Sequence, residues 1–484
     1  MRLDLEVTSA GAGRGRGARL VAAVALGALA TLAGCTDNPV ITLEIATPTG
    51  EGTFAGVTRL RARNTNPARE SEAAYSATGA VTLDLTVGAG TGSTHVEVEG
   101  LDASGAVVAR GASPPFDLGT LPSYLRIYVA RIGGFGQAPL VTGTAPAVRT
   151  DAAVTAVAGL GALVAGGGDA SGAPVSDTWV YDEYLHVVTT TGGLGVARAG
   201  ATAIDIGGGS VLVFGGLTAA GPSSALEEFQ PLVGVSGTFA AILPDGDASL
   251  ARAFAPAVAI GGGLLVAGGT GAGGAPLATS VLLTTTPAIG ATAIGAPMQG
   301  PRSGHTLTPT GDGLFALVWG LPQGAAGWVA EQYRPTSQLF TVVPNVDAPL
   351  GRTGHTATLL ADGRTLIIGG ANPAGTITGD IIELSADLTK TTVHAGVLEA
   401  RASHTTTLLG ATLLVAGGHG AAGPLGDAEL VDTTTLAVGA RPALQAARTG
   451  HAAVLLGSGT VLLVGGRDAN GAPVQTLELY TPVP

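Results

Sequence analysis

Short apolar runs separated by glycine-rich turns fill the last two thirds of the chain. In one stretch HTATLL (355–360) is followed by a turn at Asp362-Gly363, and then by TLIIGG (365–370), DIIELSA (380–386) and TTVHA (391–395). An Asp-Gly pair between apolar runs is typical of a tight hairpin, because that turn needs residues with positive φ. The pattern predicts four short antiparallel strands in a unit of about fifty residues.

This unit is repeated along the chain. RTGHTATLLADGRTLIIGG (352–370) and RTGHAAVLLGSGTVLLVGG (448–466) are identical at 11 of 19 positions. An arginine followed 17 or 18 residues later by the second glycine of a Gly-Gly pair occurs seven times, at intervals of 47 to 54 residues. The arginines are Arg149, Arg198, Arg252, Arg302, Arg352, Arg401 and Arg448. The matching glycines are Gly167, Gly216, Gly269, Gly320, Gly370, Gly418 and Gly466, with Trp319 in place of the first glycine in one pair.

The repeats resemble bacterial kelch repeats, in which R-x-G-H, a first strand, V-x-G-G and a third strand with an acidic residue recur. The last four copies carry the motif histidines, which are His305, His355, His404 and His451, whereas the first three copies lack them. The third-strand acids are Glu228, Glu331, Glu383, Glu429 and Glu478. This resemblance implies an all-β fold with a seven-bladed kelch-type β-propeller over residues 123–484.

Two regions before the first repeat have separate predicted roles. The seventh copy ends at Pro484 soon after its third strand, so we expect residues 123–148 to supply the strand that closes the last blade. In residues 40–122, VITLEIA, VTRLRAR, AVTLDLTV and THVEVEGLDASGAVVARG alternate apolar and polar positions. This alternation predicts a small antiparallel β-sandwich with a hairpin around 102–105, immunoglobulin-like in architecture only.

The N-terminus has the layout of a sorting signal. A basic segment containing Arg14, Arg16 and Arg19 precedes an apolar run at 20–34, which at about fifteen residues is shorter than the roughly 20 of a membrane span. Residues 1–34 are therefore predicted to be a signal peptide. The run ends in Leu32-Ala33-Gly34-Cys35, which resembles a bacterial lipobox and implies acylation of Cys35, the only cysteine. Residues 35–39 would then form the acylated tether, and Thr36 favours the outer membrane over the inner one.

Composition narrows the possible partners. The chain has 484 residues, of which 78 are glycine and 12% are charged. Without residues 1–34 it carries 19 basic and 33 acidic residues, a net charge of −14. An acidic chain without a basic run binds phosphate backbones poorly, so nucleic acid is not an expected partner. We expect a monomer that contacts the membrane through its lipid alone.

The repeated arginines leave two interpretations open. First strands begin, and second strands end, on the same face of a propeller blade, so the seven arginines could form a ring that binds an anion through their planar donor groups. Alternatively each arginine satisfies buried carbonyls or the repeated glutamate, and the histidines and glycine pairs are equally structural. Histidines distributed one per blade do not converge on a metal. Between second and third strands, the residues that stand out are Asp169, Asp177, Trp328, Asn372, His419, Arg467 and Asp468.

The predicted function is that of a lipid-anchored binding or scaffold protein of the bacterial cell envelope, with a protein or an envelope polysaccharide as partner. The alternative is a mutarotase- or epimerase-like enzyme that acts on acidic sugars through the arginine face, and a purely architectural role is a third possibility. The copper radical oxidases, whose kelch propellers these repeats resemble, need a cysteine cross-linked to tyrosine, and Cys35 is already assigned to lipid. No catalytic residue, metal ligand or cofactor is nominated, and Asp245-Gly246-Asp247 is interpreted as a turn.

Overall fold

The computed structural model describes residues 42–48, 52–66, 68–76, 92–117, 124–139, 147, 149–231, 237–243, 247–261, 263–285, 288–323, 329–344, 346 and 348–484, with the backbone of 20–21. Regular structure in these residues is almost entirely β-strand, as expected for a chain rich in glycine and β-branched residues. The helical elements among them are short 3₁₀ turns at Ala248–Leu250, Ala272–Gly274 and Ala348–Leu350. The prediction of an all-β fold is confirmed.

Small antiparallel sheets follow one another from residue 153 onward, and we number them in chain order. Sheet 1 contains Ala153–Val157, Gly161–Ala165, Thr178–Asp182 and Val187–Thr190. Sheet 2 contains Thr202–Gly207, Ser210–Phe214, Leu226–Gln230 and Thr238–Leu243. Sheet 3 contains Ala257–Ile260, Gly263–Ala267, Ser280–Thr284 and Gly290–Ala293. Sheet 4 contains Thr306–Pro309, Ala316–Trp319, Ala330–Arg334 and Leu339–Val342.

The remaining sheets continue this order with two variations. Sheet 5 contains Thr356–Leu359, Thr365–Ile368, Ile381–Leu384 and Thr391–His394. Sheet 6 has three strands, Thr405–Leu409, Thr412–Ala416 and Ala428–Asp432. Sheet 7 joins Ala452–Leu455, Val461–Val464 and Glu478–Thr481 to Gly134–Gln137 from far earlier in the chain. Two-residue ribbons at Leu217–Thr218 with Gly221–Pro222, and at His419–Gly420 with Gly423–Pro424, extend the loops between second and third strands.

The sheets are arranged around a ring, as in a β-propeller. First strands lie side by side in sheets 1 and 2 and in consecutive sheets from 3 to 7, and the first strand of sheet 7 lies beside that of sheet 1. Sheets 2 and 3 are joined by a shared apolar cluster that contains Phe214 and Val266. Apolar side chains fill the spaces between neighbouring sheets, for example Leu366 and Ile368 of sheet 5 against Leu413 and Val415 of sheet 6. Second strands are covered on both sides, and their sequences are therefore continuous apolar runs.

The contact between sheets 7 and 1 is fixed in three ways. Gly134–Gln137 pairs antiparallel with Glu478–Thr481, so a strand preceding sheet 1 completes sheet 7. The buried carboxylate of Glu183 accepts the backbone N–H groups of Gly457 and Ser458 at 3.1 and 3.0 Å. On the other face, Arg467 donates to Asp151 Oδ2 at 2.8 Å.

The N-terminal residues form two layers around a separate apolar core. A five-stranded antiparallel sheet has the order Ala130–Arg131, Val107–Ala112, Val96–Leu101, Arg59–Thr65 and Ala68–Ala74. The other layer has the order Leu20–Val21, Thr42–Ala46 and Tyr124–Tyr128, and Ser93–Thr94 pairs with Phe116–Asp117. Leu43 and Ile127 from one layer pack with Leu60 and Val98 from the other. AVTLDLTV (80–87) lies outside the described residues.

Two features of this region differ from the sequence expectation. The pairing of Thr42–Ala46 with Tyr124–Tyr128 is parallel, whereas an antiparallel sandwich was expected. The predicted boundary after residue 122 also falls too early, because strands as far as Arg131 pair with the N-terminal sheets. Of the segment expected to close the last sheet, Gly134–Gln137 makes that pairing. A parallel partner more than eighty residues away leaves no local signal in the sequence.

Candidate binding face

The repeated arginines and the Gly-Gly pairs lie at one face of the ring, where first strands begin and second strands end. We call this the Gly-Gly face. The turns between first and second strands lie at the opposite face. The Gly-Gly face therefore contains the candidate residues of the sequence analysis, and the surroundings of each decide what it can do.

Six of the seven repeated arginines are buried, with exposed fractions from 0% to 4%. Four of them pair with a carboxylate on the third strand of their own sheet. Arg198 donates to Glu227 at 2.5 Å and Arg401 to Glu429 at 2.8 Å, and Arg302–Glu331 and Arg448–Glu478 are the corresponding pairs. Each of the four also donates to backbone carbonyls, such as Gly417 O for Arg401 at 2.9 Å.

The other three arginines have different partners. Arg352 donates to Pro349 O at 2.8 Å and to Asp380 at 3.3 Å, and Arg149, which is partly exposed, binds Asp177 at 2.6 Å. Arg252 donates to the carbonyls of Ser249, Gly268 and Thr279 and to the Thr279 hydroxyl. Burial without a carboxylate lowers the pKa of Arg252 to about 10. Of the two interpretations that the sequence left open for Arg149, Arg198, Arg252, Arg302, Arg352, Arg401 and Arg448, the structure agrees with the buried, bonded one. A solvent-facing anion ring does not form, because six of the seven are enclosed and bonded within their own sheets.

The paired glutamates bind backbone N–H groups in addition to the arginine. Glu331 accepts the N–H of Gln299 at 2.9 Å, and Glu478 accepts those of Gln445 and Ala446 at 2.8 and 3.1 Å. Each bond fixes the segment that enters the sheet just before its arginine. Burial raises the pKa of Glu331 and lowers that of Arg302, and in each case the attraction of the partner charge opposes the shift. The pair orders the fold, and leaving one partner alone would be costly.

Two of the five predicted glutamates do not occupy this position. In sheet 2 the partner of Arg198 is Glu227, whereas Glu228 lies on the other side of the strand and bonds to Gln230. In sheet 5 the equivalent position is Ile382, and Glu383 instead contacts Arg364 and His394. A shift of one residue along a strand reverses the face, and the acidic residues alone gave no way to choose between neighbours.

The four motif histidines join neighbouring sheets. Nε2 of His355, His404 and His451 bonds to a first-strand threonine of the preceding sheet, namely Thr306, Thr356 and Thr405, at 2.9 to 3.1 Å. Nε2 of His305 donates to Ala267 O at 3.1 Å. Burial lowers the pKa of each of these four histidines to about 3, so the rings are neutral at ordinary pH.

The Gly-Gly pairs leave room for these joints. A Cβ on Gly369 would lie 2.9 Å from the His404 ring, and one on Gly370 would lie 2.8 Å from His355 Cβ. The N–H of Gly370 donates to Arg401 O at 2.8 Å, and the second glycines Gly167, Gly216, Gly269 and Gly418 make the same bond to the next sheet. A Cβ on Gly466 would likewise lie 2.9 Å from His451 Cβ.

One pair was assigned one residue out of register. Strand pairing matches Trp319 to Ile368, which places Gly320 at the first glycine position and Leu321 at the second. The N–H of Leu321 accordingly donates to Arg352 O at 3.0 Å. An additional residue in the turn at 310–315 causes the shift, so Trp319 ends a strand and replaces no glycine.

Two residues after each arginine, the backbone adopts positive φ. These residues are Asp151, Gly200, Phe254, Gly304, Gly354, Ser403 and Gly450, with φ between 52° and 64°. Several of these residues donate their N–H to the carbonyl of the corresponding residue in the preceding sheet. These bonds are Gly200 to Asp151 (2.7 Å), Phe254 to Gly200 (2.8 Å), Gly354 to Gly304 (3.4 Å), Ser403 to Gly354 (2.7 Å) and Gly450 to Ser403 (2.9 Å). Five of the seven successive links around the axis are therefore present, and we call these seven residues the mouth ring.

The side chains of the mouth ring are not repeated. Phe254 is 48% exposed, and its ring covers Gly200 so closely that a Cβ there would lie 2.6 Å from it. Leu217, exposed on the adjoining loop, bridges to Ala199, the neighbour of Gly200. Asp151 pairs with Arg467, which also donates to Thr150 Oγ1 at 3.1 Å. An exposed aromatic ring, an alkyl group and an ion pair thus lie on one arc of the mouth.

The other residues that stood out between second and third strands have local roles. Asp169, Asn372 and Asp468 each accept two N–H groups within their own loop. His419 bonds to Thr449 Oγ1 at 3.3 Å, and Trp328 lies outside the described residues. Sequence reasoning missed Phe254 and Asp151. Both residues stand where the R-x-G motif has glycine in most copies, and this departure from the repeat could have marked them as candidate site residues.

Cys35 and its lipobox, like Asp245 and Gly246, lie outside the described residues. In the part of the chain that the structure describes, no helix is long and apolar enough to cross a membrane. The same residues include no group of three or more histidine, cysteine or acidic side chains that could hold a metal ion.

Comparison with known proteins adds little to this geometry. No protein-family model and no curated protein sequence matches the chain. The solved structure of YjhT is similar, with 18% sequence identity, coverage of 59% of this chain and 95% of that chain, and a TM-score of 0.45. A likeness at this level carries no argument about the site, so the propeller architecture rests here on the sheets themselves.

Proposed function

We propose that this chain is a lipid-anchored binding protein of the bacterial cell envelope, which presents the Gly-Gly face of a seven-bladed kelch-type β-propeller to a partner. One observation carries the proposal. The repeated charged residues are consumed in structural bonds, whereas exposed and unrepeated side chains gather at the mouth ring of that face. Residues on a rigid scaffold that depart from its repeat are where binding is expected.

The domain organisation supports a presenting role. Sheets 1 to 7 correspond in number and order to the seven repeats, and the closing strand from before sheet 1 removes an open edge. The N-terminal layers, interpreted as an immunoglobulin-like sandwich, contact sheet 1 through Arg126, which donates to Leu185 O at 2.8 Å. A signal peptide at 1–34 and acylation of Cys35 would then tether the sandwich to the outer membrane, with the propeller beyond it.

The arginine-dependent enzyme has weaker support. An acidic sugar would need guanidinium groups that face solvent, and six of the seven repeated arginines are enclosed. Burial makes these groups poor ligands, because an incoming anion would have to displace carboxylates already bonded at 2.5 to 2.8 Å in Arg198 and Arg401. We therefore propose binding without chemistry, to an envelope protein or polysaccharide.

The proposal is tested by photo-crosslinking in the cells that produce the protein. A photoreactive phenylalanine analogue would replace Leu217 on the Gly-Gly face or, as the matched control, Leu314, which is 54% exposed in a turn at the opposite face. We expect a crosslinked partner, protein or glycan, from position 217 alone. Equal adducts from both positions, or adducts from neither, would reject the Gly-Gly face as the binding surface.

The anchor is tested separately. Cys35→Ser should move the protein from the membrane fraction to the soluble fraction, because Cys35 is the only residue that could be acylated through a thiol. Retention of this variant in the membrane fraction would contradict a lipid anchor while leaving the binding face untouched.

A further inference from the structure

Phe254 is held in a conformation that bulky residues rarely adopt. Its φ is 52°, at a ring position where four of the seven sheets have glycine. Strain of this kind persists only where the surroundings enforce it, and it is concentrated at functional sites. Here the N–H of Phe254 is fixed by Gly200 O at 2.8 Å, and the aromatic ring lies over the Gly200 backbone. The structure thus exposes an aromatic ring at the mouth instead of burying it.

Polar groups lie on the same arc. Gly200, which Phe254 covers, donates its N–H to Asp151 O at 2.7 Å. The Asp151 carboxylate accepts from Arg467 at 2.8 Å, and the two side chains are 35% and 43% exposed. The arc from Arg467 through Asp151 and Gly200 to Phe254 therefore combines an aromatic face, acceptor oxygens and a donor fork across sheets 7, 1, 2 and 3.

We infer that this arc binds a neutral saccharide, with the C–H face of one sugar ring stacked on Phe254 and its hydroxyls bonded to Asp151 and Arg467. Aromatic platforms flanked by a few fixed polar groups suit such ligands. Carboxylate oxygens accept from hydroxyl groups, and guanidinium groups donate to them. This inference rests on the proposal that the Gly-Gly face binds a ligand, and it specifies the ligand's chemical class.

Charge and size favour a neutral sugar over the other partners. Arg467 and Asp151 neutralise each other, and the chain as a whole carries a net charge of −12, so an anionic ligand finds no excess positive charge here. A stable protein interface buries roughly 800 Å² on each partner. Phe254 and Leu217, the exposed apolar side chains described at the mouth, offer a smaller surface, which matches one or two sugar rings better than a protein partner.

The test uses calorimetric titration of the full-length chain with neutral pentasaccharides of β-1,4-glucose, α-1,4-glucose and β-1,4-N-acetylglucosamine, and with an oligogalacturonate as the acidic counterpart. Phe254→Gly removes the ring and permits positive φ, while Phe254→Trp keeps an aromatic surface. Leu314→Ala removes an apolar group of similar exposure, 54% against 48%, from the opposite face.

We expect at least one neutral pentasaccharide to bind the natural chain, Phe254→Trp and Leu314→Ala alike. Its affinity should fall at least tenfold in Phe254→Gly, without a lower thermal midpoint. The inference is overturned if no neutral pentasaccharide binds, if only the oligogalacturonate binds, or if Phe254→Gly binds as the natural chain does. A protein crosslinked from position 217 in the absence of sugar binding would reject the saccharide alone, whereas the absence of both would reject the binding face as well.

Discussion

Sheets 4 to 7 and sheets 1 to 3 use the same repeat differently. Three residues after the arginine, sheets 4 to 7 have a buried histidine, whereas sheets 1 to 3 have Ala152, Ala201 and Ala255. At the preceding position, sheets 4 to 7 have only glycine or serine, whereas sheets 1 and 3 have Asp151 and Phe254. In sheets 4 to 7 the residues that depart from the other copies are histidines that bond neighbouring sheets together. In sheets 1 and 3 they are side chains exposed at the mouth.

The difference shows how a repeated scaffold can acquire a site. Where histidine joins the sheets, the ring position stays small and the face stays plain. Where alanine stands instead, other groups fill the joint, such as Leu194 against Gly166 and Thr202, whose hydroxyl donates to Ala255 O at 2.6 Å. Stability and recognition are thus assigned to different arcs, and four predictions follow from this division, from the largest effect to the smallest.

Acid should weaken sheets 4 to 7, which contain the four buried motif histidines, before it weakens sheets 2 and 3. The pKa values of His305, His355, His404 and His451 are lowered to about 3 by burial, and Nδ1 of each is buried without a partner. Between the unfolded pKa of about 6.5 and the folded value, the unfolded chain binds more protons, so stability is lost as pH falls. Each histidine should contribute a slope that is small above pH 6.5 and reaches about 1.4 kcal/mol per pH unit below about pH 5.5, measured by urea unfolding between pH 7.5 and 4.5.

Hydrogen exchange locates this effect. At pH 5, amides of sheets 4 to 7 should lose protection before those of sheets 2 and 3, once intrinsic exchange rates are corrected. Sheet 1 should respond as sheets 4 to 7 do, because burial also lowers the pKa of its His186 to about 3. His404→Gln should reduce the pH dependence of the unfolding free energy by the contribution of one histidine. Thr356→Val removes the hydrogen-bonding partner of His404, and it should lower the unfolding free energy equally at each pH. An unchanged slope in His404→Gln would show that this ring does not titrate on unfolding.

Breaking one buried ion pair should have the next largest effect. Arg401→Ala leaves the carboxylate of Glu429 buried, which costs about 3–5 kcal/mol of unfolding free energy. Arg441 binds the same carboxylate but is 48% exposed, so Arg441→Ala should cost about 1 kcal/mol or less. Denaturant titration of the two variants at pH 7.5 compares a structural arginine with a surface one. Similar losses would indicate that Glu429 depends equally on both.

Register along one strand is tested by two adjacent glutamates. Glu227→Gln weakens the charged bonds to Arg198 and to the N–H of Gly195, so we expect a loss of about 1.5–3 kcal/mol. Glu228→Gln, on the other side of the strand, should stay within about 0.5 kcal/mol of the natural chain. Thermal and urea unfolding measure both, and the reverse order would place the wrong residue in the pair.

These cases mark what the sequence could predict. Repetition and glycine spacing predicted small antiparallel sheets, because the strand period and the turn residues are local properties. Choosing Glu227 over Glu228, or placing Gly320 one residue earlier in its pair, required the register, which a single additional turn residue changes. The parallel pairing at Thr42–Ala46 depended on contacts distant in sequence.

The candidate site was harder to predict than the scaffold. Arginines that recur with fixed spacing are equally compatible with a ligand ring and with buried pairs, and only their burial decides between these roles. Phe254 and Asp151 were not predicted, because their positive φ is a property of the backbone that their residue types do not indicate. In the repeat pattern they are simply departures from glycine.

The smallest effect is also the most direct comparison of the two arcs. Gly450 and Phe254 share one backbone conformation, with φ of 63° and 52°. A Cβ on Gly450 would meet nothing within 4 Å, so Gly450→Ala isolates the cost of positive φ, about 1 kcal/mol. Phe254→Gly relieves the same cost but also loses the contact of the half-exposed ring with Gly200, so stability should rise by less than about 1 kcal/mol. Changes of the same sign, measured by urea unfolding, would mean that Phe254 stabilises the ring, and its exposure would then be explained without a ligand.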